Sequence, residues 1–132
     1  MKTIKTSFWQ ISLPDDWQCE HDADSDVIFS PEGVGELQIS TSKFDSPVTG
    51  DHLYELAEEH LDADAEEEEI EFGEFSGITF EYEMDGEFWQ EWYLMSGNIL
   101  LFITYACDLG DEENEIDIIE FILDSLKDIS PD

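Results

Sequence analysis

Apolar and polar residues alternate over positions 78–84, the run stops at Asp85-Gly86, and a second run over 88–95 follows at once. That second run meets Ser96-Gly97-Asn98, after which positions 99–107 are apolar almost throughout. Asp-Gly between alternating runs is the strongest short-range signal for a hairpin, so this stretch predicts a three-stranded meander. A two-residue loop at Asp85-Gly86 pairs Met84 with Glu87, and the period of two then sorts the side chains. One face carries Ile78, Phe80, Tyr82, Met84, Trp89, Tyr93, Leu100 and Phe102. The other carries Thr79, Glu81 and Glu83 on the first strand, and Phe88, Trp92, Leu94, Leu101, Ile103 and Tyr105 on the next two. The third strand is therefore apolar on both sides, which places it mid-sheet with cover above and below, while Glu81 and Glu83 must reach water.

Positions 8–13 alternate up to Pro14, and Asp15-Asp16 turn the chain before Trp17 restarts an extended segment. A polar tip over 22–26, a short strand over 27–30, a Pro31-to-Gly35 turn and a strand over 36–42 follow. Thr49 is a candidate helix N-cap with His52 at the capping-box position, and Leu53, Leu56, Ala57 and Leu61 recur at helical spacing. A short strand over 70–72 precedes the meander. After Cys107, the acidic segment 108–115 suits the positive end of a second helix. Ile116, Ile119, Leu123 and Leu126 form its apolar stripe, and Ile118, Phe121 and Ile122 widen that stripe toward another element or a partner. Lys127 falls at its C-terminal end. The expected architecture is one α+β domain over 1–132. It is a single antiparallel β-sheet of about six to eight strands with helices packed on both faces.

Charge changes the functional picture more than the fold. The chain holds 4 Lys, no Arg and 36 Asp plus Glu, a net charge of -32. Such a balance argues against contact with nucleic-acid backbones and against anionic membrane surfaces, and favours a basic partner. Area scaling for this length gives ~7,000 Å² of surface, hence one acid per ~200 Å², at ~14 Å spacing. That spacing exceeds the ~8 Å Debye length of physiological salt, so the charge is compatible with folding there. Halophilic acidity usually accompanies many Ala and Val, but this chain has 13 Ile against 5 Ala and 3 Val, with 17 aromatics. Positions 1–13 lack the apolar core and cleavage site of a signal peptide, and no run approaches ~18 apolar residues. Cytoplasmic location with Cys19 and Cys107 as reduced thiols is the expectation.

Three segments resemble a known superfamily. They are the Leu13-Pro14-Asp15-Asp16-Trp17 corner, the Gly35-Glu36-Leu37-Gln38-Ile39-Ser40 strand, and the closing helix over 118–126 with Ser125-Leu126. Together they are similar to the PsbP-like and Mog-type superfamily, bacterial DcrB-like proteins included, over most of the chain in element order. The resemblance implies an antiparallel sheet with helices on both faces and a non-enzymatic binding or chaperone-like role. It carries over no functional residue, because the superfamily has no shared catalytic set.

Candidate chemistry is sparse. Asp22-Ala23-Asp24-Ser25-Asp26 begins like a calcium loop, but Val27 stands where glycine is needed and Gly33 where a bidentate Glu is needed. Asp62-Ala63-Asp64 fails the same test at Gly73. His52, Glu55 and Glu59 share helical spacing without forming a recognised metal motif, and His21 sits in a polar loop that needs no role. No nucleophile elbow occurs, neither cysteine has a basic neighbour, and Gly33-Val34-Gly35 lacks the third glycine of a phosphate cradle. Catalytic residues, metal and cofactor are thus all expected to be none. The remaining candidate is an acidic, aromatic surface on the meander, with Glu81, Glu83, Glu87, Trp89 and Glu91 as partner-binding residues. The expected function is a non-enzymatic acidic module that binds a basic protein, with an immunity or chaperone-like protein as its sharpest form. The alternatives are a housekeeping domain with a salt-adapted surface and a weak divalent-cation binder.

Overall fold

A computed structural model describes residues 2–6, 8–21, 25–31, 33, 35–46, 49, 55 and 67–129, the side chains of 67 and 112–115 excepted. The strands are β1 (Lys2–Lys5), β2 (Trp9–Leu13), β3 (Gln18–His21), β4 (Ser25–Phe29) and β5 (Gly35–Lys43). They continue as β6 (Glu67–Phe72), β7 (Phe75–Met84), β8 (Glu87–Ser96), β9 (Ile99–Asp108) and β10 (Lys127–Asp128), with helix α1 (Glu112–Asp124) before the last.

The expected meander is present, with the expected register. Met84 pairs with Glu87, Tyr82 with Trp89 and Ile78 with Tyr93, while Tyr93 pairs in turn with Phe102. Asp85 and Gly86 both take positive φ, at 54° and 81°, which is the backbone a two-residue hairpin turn demands. The doubly apolar β9 lies at the middle of a seven-stranded antiparallel sheet ordered β3-β4-β5-β9-β8-β7-β6.

What covers that sheet differs from expectation. Among the described residues the structure is mostly strand, built from a three-stranded and a seven-stranded sheet with one short helix described end to end, α1, and not from a single sheet with helices on both faces. β2 leaves the large sheet because two strands from opposite ends of the chain claim its edges. Ile4 pairs with Ile11 on one side, and Lys127 pairs with Gln10 on the other. This small sheet and α1 then lie together on one face of the large sheet. Trp9, Ile11 and Leu13 of β2, with Ile119, Ile122, Leu123 and Leu126 after them, are buried in one cluster with Leu37, Ile39, Trp92, Leu94, Leu101, Ile103 and Tyr105. The Trp9 indole Nε1 donates to Thr41 Oγ1 at 2.9 Å, so the large buried ring keeps its polar atom satisfied.

Of the expected stripe, Ile119, Leu123 and Leu126 are buried and Ile116 is half-buried; Ile122 is buried with them, while Ile118 and Phe121 remain exposed at 38% and 53%. Lys127 is not a helix-terminal charge. The helix ends at its C-cap Ser125 with no basic residue in its last turn, and Lys127 belongs to β10. Of the first expected helix only Thr49 and Glu55 are described, Glu55 being helical and exposed, whereas His52, Leu53, Leu56, Ala57, Glu59 and Leu61 lie outside the described residues, as do Asp22, Ala23 and Asp24 of the polar tip. On the second face of the large sheet, Ile78, Phe80, Tyr93 and Leu100 form a smaller buried cluster, edged by Phe44, Tyr82, Met95 and Phe102.

Candidate functional site

The second face changes character toward the Asp85-Gly86 end of the meander. Four ring contacts run along it: Phe102 to Tyr93 at 4.9 Å, Tyr93 to Phe80 at 6.1 Å, Phe80 to Tyr82 at 6.2 Å, and Tyr82 to Trp89 at 6.2 Å and 5°. Such a ladder follows from aromatic residues on adjacent strands facing one another across the pairs.

Just past Trp89 the surface opens into a groove of ≈ 400 Å³ lined by Gly35, Glu36, Glu87, Trp89, Ala106, Cys107 and Asp108. The pairing explains its shape. Ala106 pairs with Trp89 on one side and Glu36 on the other, so a methyl group forms the floor between an indole and a carboxylate. Glu87 pairs with Asp108, which brings two more carboxylates to the same end. Glu36 and Asp108 are exposed and Glu87 is half-buried. None of the four lysines, all among the described residues, lines the groove. A second hollow of ≈ 300 Å³, lined by Phe29, Ser30, Pro31 and Gly33, shares Gly35 and Glu36 with the first. The two make a continuous acidic trough.

Of the five expected site residues, Glu87 and Trp89 meet in this groove. Glu91 lies on the same face one pleat further in, 3% exposed, and accepts the Tyr82 hydroxyl on Oε2 at 2.5 Å. Its Oε1 and the Trp89 Nε1 are buried with no hydrogen-bond partner among the described residues. Burial, with the Glu91 bond and charge behind it, pushes the Tyr82 phenol far above its ordinary range. Glu81 and Glu83 point to the opposite face, across from Gln90 and Phe88. Glu81 there lines a recess of ≈ 190 Å³ with Glu68, Thr79, Phe80 and Gln90. Glu36 and Asp108 were not anticipated: Glu36 reaches the groove through β5 pairing with β9 across more than half the chain, and Asp108 through the β8–β9 hairpin running one residue past Cys107 to face Glu87.

Residues of metal-binding type converge elsewhere. Strand β3 extends through His21, which is not in a loop but opposite Asp26 and in contact with it through Nδ1 and Oδ1. Cys19, His21 and Asp26 offer donor atoms within 4.8 Å of one another. Burial, then the charge of Asp26, pushes the Cys19 thiol up from 9.0 to about 11, against a smaller opposing effect of Lys2. Neither Cys19 nor Cys107 is joined in a disulfide among the described residues. No helix among the described residues is long and apolar enough to cross a membrane.

Neither the protein-family models nor the curated proteins contain a match to this chain. Solved structures do resemble it. A protein of Bacteroides thetaiotaomicron VPI-5482 shares 18% identity at a TM-score of 0.67 over 91% of this chain, which spans 44% of that protein's length. LpqN of Mycobacterium tuberculosis, a protein involved in cell envelope biogenesis, shares 14% identity at a TM-score of 0.60, covering 93% of this chain and 83% of LpqN. The cyanobacterial PsbP of Synechocystis sp. PCC 6803 is a more distant likeness, with 12% identity and a TM-score of 0.48 over 91% of this chain and 86% of that one. The feature shared with the first two is the fold.

Proposed function

We propose that this chain is a non-enzymatic protein-binding module that takes a basic protein partner in the acidic trough beside Trp89. The observation that carries the reading is the meeting of Glu36, Glu87 and Asp108 around the Ala106 floor and the Trp89 ring, with no lysine among them. A lysine or arginine side chain fits such a place, since carboxylates pair with its head and an aromatic wall takes its stem. The net charge of -32 supplies the long-range attraction that steers a cationic protein toward it. An immunity or chaperone-like protein is the sharpest form of this reading, and the same charge argues against nucleic acid and anionic membranes as partners. Membership in the PsbP-like and Mog-type superfamily, with the DcrB-like proteins, and a cytoplasmic location belong to the same proposal. They rest on the three resembling segments and on Cys19 and Cys107 not being joined in a disulfide.

The test is affinity capture of the tagged chain from its source cells at about 0.1 M and about 0.5 M KCl, a range over which the Debye length falls by roughly half. Bound proteins are identified by mass spectrometry. Basic proteins should be enriched at the lower salt, and lost at the higher salt and from a Glu36→Lys/Glu87→Lys double variant. Recovery of nothing, or of neutral and acidic proteins alone, overturns the reading.

A further inference from the structure

We infer that Cys19, His21 and Asp26 form a binding site for a late first-row divalent metal ion, for which zinc serves as the reference. The three come from one antiparallel hairpin. Cys19 and His21 are two apart on β3 and so share a face, and the register sets Asp26 of β4 directly across from His21. Their sulfur, imidazole nitrogen and carboxylate oxygen lie within 4.8 Å of one another. Ligands held ~2.0–2.3 Å from zinc are at most ~4.6 Å apart, so small side-chain adjustments bring all three onto one ion.

The donor set chooses the ion. Thiolate and imidazole favour zinc and its neighbours, whereas calcium and magnesium require a set of oxygen ligands, and only one of these three donors is a carboxylate. The site is also open. The His21 side chain is 60% exposed while that of Asp26 is 13% exposed, which leaves an entry side and room for a solvent ligand in a fourth position. The ordinary alternative is a His21–Asp26 pair closing the end of the hairpin, with Cys19 as a packed neighbour. That pair alone does not require a sulfur atom on the same face at ligand distance. Cys19 is only partly buried at the margin of the core, unlike Cys107, which is 5% exposed.

The many carboxylates of this chain will gather divalent ions loosely, so the experiment must see sulfur. Cobalt(II) chloride is titrated into the full-length, reduced protein, and the thiolate-to-cobalt charge-transfer band is followed in the near ultraviolet, which carboxylates do not produce. Zinc is then used to displace cobalt. The expected result is a saturable one-to-one band in the wild type and in Cys107→Ala, and none in Cys19→Ser. In the surface variant His21→Gln, zinc should bind at least ~10-fold more weakly. Absence of the band from the wild type, or its retention in Cys19→Ser, overturns the assignment. Equal zinc affinity in wild type and His21→Gln overturns it too. Cys19→Ser is nearly isosteric and His21 is exposed, so both variants keep the fold, and their circular dichroism confirms that before titration.

Discussion

Tyr82 and Glu91 hold the most sensitive polar contact in the second face. The phenol donates to Glu91 Oε2 at 2.5 Å, while the buried Oε1 already has no hydrogen-bond partner among the described residues. Tyr82→Phe removes the donor without changing the ring stack, so the whole carboxylate is left unpaired. The cost is expected to be ~1–3 kcal/mol, read as a lower urea midpoint at unchanged slope. The same contact sets a pH signature. Because the folded chain holds the Tyr82 proton well above its ordinary value, its contribution to stability is full below about pH 10 and declines as pH rises beyond it. Tyrosinate absorbance should show Tyr82 ionising only with unfolding, as a component of the titration that Tyr82→Phe lacks. Cys19 behaves likewise in a lower window. Its folded value of about 11 against an ordinary 9.0 means that the folded metal-free chain binds the extra proton, so stability falls as pH rises from about 9 to 11. Alkylation of Cys19 should have its midpoint near pH 11 when folded and near 9 in urea. A folded midpoint at 9 would contradict the burial argument.

At the scale of elements, the turns separate local conformation from tertiary fit. Gly86 has φ of +81° with open space around it, whereas Gly73 has φ of +60° and a Cβ there would sit 1.9 Å from the Leu126 carbonyl oxygen. Gly86→Ala is therefore expected to cost ~1–2 kcal/mol for its backbone conformation alone. Gly73→Ala adds a clash with the segment joining α1 to β10, worth a further ~1–3 kcal/mol. Thermal melts of the two variants, side by side, measure that difference, and equal melting temperatures would refute it. This contrast also marks how far the chain could be read beforehand. The meander register was legible because the period of two and the Asp85-Gly86 turn are local signals, and they placed Trp89 and Glu87 on one face without further information. The second sheet was not legible. Lys2–Lys5 and Lys127–Asp128 are short, polar strands with no usable period, and they become strands only by flanking β2. Glu36 was invisible for the same reason, since no local pattern shows that β5 will pair with β9, whereas Asp108 follows from the hairpin register and was missed because the strand runs one residue past the apolar stretch that ends at Cys107. His21 was lost to a boundary error, the hairpin strands running further toward their tip than the polar composition suggested.

For the molecule as a whole, the chain carries 36 acidic residues against a surface of 7527 Å², near the area expected for this chain length. The described apolar residues are buried in two clusters on either side of one sheet, so the described carboxylates, the buried Glu91 apart, are left toward the periphery and repel one another across it. Salt should relieve that repulsion quickly and then stop helping, because the Debye length is already ~3 Å at 1 M and shorter than the spacing between acids. The melting temperature is thus expected to climb steeply up to a few tenths molar KCl and to flatten by roughly 1 M. A salt-adapted surface behaves differently, since it depends on concentrated salt for its hydration and keeps gaining stability between roughly 1 and 3 M, beyond the screening range. A melting curve against KCl decides between the two. A plateau leaves the acidity free to act in steering a partner, whereas a continued rise would assign it to the solvent in which the chain works and remove the electrostatic support for the trough beside Trp89.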